Sequence, residues 1–124
     1  MRGEPFNLAR VDNGELTHIL LVGEIDIYAA PTFKWLIVDA IQDGQRQIII
    51  DYSEVTFFDS TSFGILVSSL KRLRAHDGRM ALVINSGYLL NTFAILGFDK
   101  MFDIYSTIKE AEGSFAAGVK QKQS

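Results

Sequence analysis

Apolar and polar residues alternate, then regroup, along the 124-residue chain. Asn13-Gly14 is the strongest turn signal, because both residue types tolerate positive φ, and it predicts a type I′ hairpin. Counting outward pairs Val11 with Leu16 and Leu8 with Ile19. Strands are expected over Phe6–Val11 and Glu15–Val22, with a break at Gly23 before Glu24-Ile25-Asp26. Pro31 suits a first helical turn, where its missing N–H costs nothing. Phe33, Leu36, Ile37, Ala40 and Ile41 then fall on one helical face until Asp43-Gly44. Arg46–Asp51 is a β-branched run of the kind found in strands covered on both faces. Val55–Phe58 leads on to Asp59-Ser60; Phe57 and Phe58 point to opposite sides of a strand, so at least one of them is core.

A second helix is predicted from about Ser60 to His76, with Phe63, Leu66, Val67, Leu70 and Leu73 as its apolar face and Asp77-Gly78 as its stop. A buried strand follows over Arg79–Asn85. Ser86 opens a short helix bearing Leu89, Leu90, Phe93 and Leu96, and Gly97 stands where a left-handed residue ends it. Lys100–Tyr105 reads as the last strand. Thr107 with Glu110 makes a capping box for a final helix, and the residues after Phe115 read as its frayed end. Two strands followed by alternating helices and strands predict one α/β domain: a mixed sheet with about four α-helices. Loops between strand ends and helices are then where ligands or partners meet the fold.

Composition narrows the function. Twelve Lys+Arg against fifteen Asp+Glu give a net charge of −3, which argues against a nucleic-acid-binding surface. With no Cys there is no disulfide, zinc finger or thiol nucleophile. The longest apolar runs, such as Ile19–Val22, are far shorter than the ~20 residues of a membrane span, and Met1–Pro5 has no leader-like apolar stretch. A cytoplasmic protein with no membrane partner is expected.

Neither His18 nor His76 has a metal-ligand spacing. His18 reads as a strand residue and His76 as a complement to a helix C-terminus. No serine stands in a nucleophile elbow and no phosphate-cradling glycine loop is present, so no catalytic centre, cofactor or metal is expected. Glu24, Asp26, Asp51, Glu54 and Asp59 fall near strand ends, where they solvate loops and start helices. A phosphoacceptor site built on Asp51 and Lys100 would need an acidic pair after the first strand, and none is there. Trp35 lies off its helix's apolar face, either half-buried on the sheet edge or a partner anchor. Lys71, Arg72 and Arg74, with Arg79 near, form a basic patch: a solvated face, or one that steers an acidic partner. The most informative segment is Phe58-Asp59-Ser60-Thr61-Ser62-Phe63-Gly64, three hydroxyls at the start of an amphipathic helix. An N-cap accounts for one of Asp59 and Ser60. A phosphorylated hydroxyl there would be stabilised by the helix dipole and free N–H groups, adding about −1.5 to −2 charges to the surface.

Gly23-Glu24-Ile25-Asp26, Ala30-Pro31, Ile48–Asp51 and Val55–Thr61, in this order, resemble the STAS domain, and within it the bacterial anti-sigma factor antagonists. Gly78, Leu82-Val83-Ile84 and Ile95–Phe98 extend the likeness, so that residues 5–112 form the expected domain and 113–124 a helix end with a flexible tail. The resemblance implies a partner-switching module without enzymatic activity. It would bind an anti-sigma factor that is also a serine kinase, be phosphorylated at Ser60 (Thr61 as runner-up) and released, and be restored by a PP2C-type phosphatase. Asp26, Asp59, Ser60, Thr61 and Ser62 would form the partner surface. The chain departs from the family at Ser62, where Gly is usual, and at Ala29, where Thr or Ser is usual. Two other roles fit the same fold: a fixed accessory subunit of a transporter or lipid-trafficking complex, and a small-ligand sensor, which the missing glycine loop disfavours.

Overall fold

The structure is a computed structural model that describes residues 6–122. Five strands form one sheet in the order β1 (Phe6–Asn13), β2 (Leu16–Ile25), β3 (Gln47–Phe58), β4 (Arg79–Val83), β5 (Asp103–Tyr105). β1 and β2 are antiparallel, and the remaining pairs are parallel. The helices are α1 (Ala30–Gln42), α2 (Ser60–Ala75), α3 (Gly87–Ile95) and α4 (Ile108–Lys122), with a 3₁₀ turn over Phe98–Lys100. The mixed sheet with four α-helices is the architecture the patterning predicts. α4 stays helical to Lys122, beyond the expected fraying point after Phe115. The last residues of the anticipated tail lie outside the described part.

Side-chain alternation sorts the helices to the two faces. Ile48, Ile50 and Tyr52 of β3 join Phe33 and Ile37 of α1, Leu66 and Leu73 of α2 and Phe93 of α3 in one core. Ile49, Ala81 and Val83 point the other way, onto Ala111 and Phe115 of α4. Phe58 is core and Phe57 exposed, as alternation requires.

Several local expectations change, and one helix stop gains detail. The hairpin pairs Asn13 with Leu16 and Val11 with His18, two positions from the predicted register. Its loop is Gly14-Glu15, with φ +64° at Gly14, while Glu15 keeps negative φ. That excludes a I′ turn, which needs both central residues positive, and fits II′. A two-residue slip preserves the faces, so the core is unaltered. Gly23 does not end β2: with φ +89° it sits at a bulge, and the strand runs on to Ile25. β3 does not stop at Asp51: it runs on to Phe58 through the exposed Ser53 and Glu54, where its register with β2 shifts. The left-handed residue after α2 is Asp77, φ +62°. Gly78 is needed for space: a Cβ there would run into the Leu73 side chain and come within 2.8 Å of the Arg46 carbonyl. Gly97 takes the left-handed role expected of it, φ +77°.

Candidate functional site

The ends of β2 and β3 lie side by side, Ile25 opposite Phe58, so the β2–α1 loop and the start of α2 are neighbours. Local chemistry fixes both. Asp26 Oδ1 accepts from the backbone N–H of Tyr28 at 3.0 Å and of Ala29 at 3.3 Å, an Asx-type turn that places the chain for α1. Asp59 is the N-cap of α2, its Oδ1 accepting from Ser62 N–H at 3.0 Å. The Ile25 carbonyl joins the two segments, accepting from Asp59 N–H at 3.3 Å and from Ser62 Oγ at 3.0 Å. Beneath them Phe63 meets Phe58 edge-to-face at 4.9 Å and Phe93 at 5.0 Å, so the first turn of α2 rests on a rigid aromatic stack.

The three hydroxyl residues therefore differ. Ser60 and Thr61, in the first turn of α2, are exposed. N–H groups this early in a helix have no partner within it, and the dipole's positive end lies there. Ser62 is fully buried with its hydroxyl committed to Ile25, so the expectation that it lies on the partner surface is corrected. Its side chain fills the position where the family usually has Gly and ties α2 to β2. Ala29 is also fully buried, so the missing hydroxyl there is an interior change. Asp26 and Asp59 are half-buried, each holding backbone N–H groups and still facing solvent.

The site also contains Ile27 and Tyr28, which periodicity did not single out, and Phe57, the solvent-facing member of the Phe57–Phe58 pair. Ile27 (57% exposed) and Tyr28 (74%) project from the β2–α1 loop, and Phe57 (41%) stands at the end of β3. Three large apolar side chains, two on the β2–α1 loop and one at the end of β3, flank two exposed hydroxyls and make a surface suited to a protein partner. Ile27 and Tyr28 sit in a loop, where apolar residues have no helical or strand face to serve, and Phe57 takes the solvent side of β3 that alternation with the buried Phe58 leaves it.

Other candidates fall elsewhere. Trp35 is 53% exposed on α1, with the Lys34 ammonium 5.3 Å from its ring. Lys71, Arg72 and Arg74 are exposed on α2, but Arg79 belongs to the α4 side, stacked 5.1 Å from the Phe115 ring. His18 lies on β2 with Nε2 3.2 Å from Glu112 of α4. Among the described residues no group of His and carboxylates is placed to hold a metal ion, and no helix is long and apolar enough to cross a membrane.

The STAS domain profile matches residues 8–111. The anti-sigma-B factor antagonist of Staphylococcus aureus (strain NCTC 8325 / PS 47) is 26% identical over 98 residues, covering 79% of this chain and 91% of that protein. An anti-sigma factor antagonist from Mycobacterium paratuberculosis superposes with a TM-score of 0.80 at 25% identity, over 88% of this chain and 92% of that one. The Bacillus cell fate determinant SpoIIAA in its phosphorylated form gives a TM-score of 0.69 at 27% identity, over 89% and 98%. With the profile spanning most of its length, this chain belongs to the STAS domain family.

Proposed function

We propose that this protein is an anti-sigma factor antagonist that works by partner switching. It binds an anti-sigma factor with serine kinase activity through Ile27, Tyr28, Phe57 and the start of α2. The kinase transfers the γ-phosphoryl group of ATP to Ser60 Oγ, the Ser60 proton leaves, ADP is released, and the modified protein detaches. A PP2C-type phosphatase hydrolyses the ester and restores binding. The single observation that supports this most is the division among the hydroxyls: Ser60 is exposed at a helix N-terminus, while Ser62 is sealed against Ile25.

The energetics agree in sign. A neutral hydroxyl enters an interface at small cost, whereas a dianion brings desolvation and like-charge repulsion beside Asp26 and Asp59. Each ~1.4 kcal/mol is tenfold in affinity, so two or three such steps release a partner. Because Ser60 starts a helix whose cap is supplied by Asp59, the phosphate changes the surface and leaves the core in place.

The test is incubation with ATP and the anti-sigma kinase encoded by the same genome, followed by mapping of the phosphate. The reading expects modification at Ser60, none in the Ser60→Ala variant, and reversal by the phosphatase. Phosphate confined to Thr61, or absent from residues 60–62, contradicts it.

A further inference from the structure

Below Ser60 an open groove of about 610 Å³ runs between α2 and the segment that follows α3. Its walls are Phe63 and Val67 on one side and Leu96, Phe98 and Met101 on the other. Ser60 lies at one end and Lys71 at the other, eleven residues apart on α2, or about 16 Å at 1.5 Å per residue. The chemistry is ordered along that length: a helix N-terminus with its hydroxyl, an apolar middle, then a cationic end. Arg74 adds to the cationic end, its Nη2 donating to the Met101 carbonyl at 3.3 Å. None of the nine lining residues is acidic.

We infer that this groove receives an amphipathic helix of a protein partner, lying antiparallel to α2, with a carboxylate in its first turn paired to Lys71. Three features select that occupant. The cations at the Lys71 end call for a negative group, and an acid is favoured in the first turn of a helix. In the antiparallel arrangement the occupant's negative C-terminal end meets the positive N-terminal end of α2 at Ser60. The apolar surface also continues past the half-exposed Leu96 of the groove wall onto Ile95 (75% exposed) outside it, more than a single aliphatic chain in the groove would cover. An apolar helix face laid into a hydrophobic groove is a common recognition mode.

The consequence for switching rests on the proposed function above. A phosphate on Ser60 would face the carbonyl end of the bound helix, so the same modification that alters the loop surface would also expel the groove's occupant.

The experiment uses the isotope-labelled full chain and a synthetic peptide of about fifteen residues, roughly four helical turns. The peptide carries leucines on one face and a glutamate pair at its N-terminal end, and binding is followed by NMR. The expected result is shifts at Val67, Leu96, Phe98 and Met101. Lys71→Glu, at an exposed position, is expected to weaken binding about tenfold at low ionic strength. Replacing the peptide's glutamates by lysines should recover affinity for that variant, and an unchanged thermal midpoint shows that it is folded. Affinity indifferent to the charge exchange, or shifts confined to Ile27 and Tyr28, overturns the inference. So does decanoate filling the groove where the peptide fails, since that marks an amphiphile site. No kinase enters the titration, so its failure leaves Ser60 phosphorylation standing, and loss of the phosphorylation leaves the groove result standing.

Discussion

The two ends of the parallel strands use their polar groups differently. Where β2 and β3 begin, side chains close on one another. Arg10 bridges Asp12 and Asp43, both at 2.8 Å, and Gln45 donates to Thr17 Oγ1 at 2.8 Å and to the Gly14 carbonyl at 3.2 Å. Arg10 holds the Asp12 carboxyl below its ordinary value, and Gly78 leaves no room beside Leu73 and Arg46. Where the same strands finish, the carboxylates of Asp26 and Asp59 are turned to backbone N–H groups, which leaves Ser60, Thr61, Ile27, Tyr28 and Phe57 facing outward. On the function proposed above, one end is complete by itself and the other is completed by a partner. Substitutions should therefore separate stability from binding according to which end they touch.

The largest separation is expected at the open end. Tyr28→Ala should reduce affinity for the anti-sigma partner about tenfold or more, since large aromatic residues carry much of an interface's energy. Its unfolding free energy should stay within about 0.5 kcal/mol of the parent, as for most surface changes. Titration calorimetry paired with chemical denaturation checks both, and a variant that loses stability while keeping affinity would break the comparison. At the closed end, Gly78→Ala forces a methyl group into filled space and should cost about 1–3 kcal/mol of stability. Its affinity, measured where the protein is folded, should not change.

Ser62→Gly restores the residue usual in the family and tests the tie between the two segments. It removes the hydroxyl bond to Ile25 and places Gly inside a helix, for a loss of about 1–2 kcal/mol by denaturation. Mapping should still find the phosphate on Ser60.

The smallest effect at neutral pH is expected in the core. The Tyr52 hydroxyl is buried and has no hydrogen-bond partner, and burial pushes its pKa well above the ordinary value of 10.0. A group whose pKa is raised on folding stabilises the fold below its unfolded value and loses that contribution as pH rises through it. Tyr52→Phe should therefore be near neutral or slightly stabilising at pH 7 and should flatten the fall in stability above about pH 10. Thermal midpoints across the alkaline range read this directly.

Much of the scaffold is legible in the chain because burial imposes periodicity. The helical faces through Phe33 and Ile37, and through Leu66 and Leu73, follow from spacing alone, and both end up in the core. The errors arise where solvent interrupts a pattern. Ser53 and Glu54 hide the continuity of β3, and Gly23 reads as a break because a bulge and a terminus use the same residue. At the site, the Asp59 cap and the exposure of Ser60 agree with local rules. The burial of Ser62 does not follow from them, since its partner, the Ile25 carbonyl, lies 37 residues away. The groove below Ser60 is likewise invisible in either segment, because each contributes one wall.

The central claim is that charge on one exposed oxygen decides whether the open end is occupied. Binding of the anti-sigma kinase to the parent protein, to Ser60→Ala and to Ser60→Asp measures it most directly. Near-equal affinity is predicted for the first two, and a loss of about a hundredfold for the third with an unchanged thermal midpoint. A Ser60→Asp variant that binds as tightly as the parent would contradict the account.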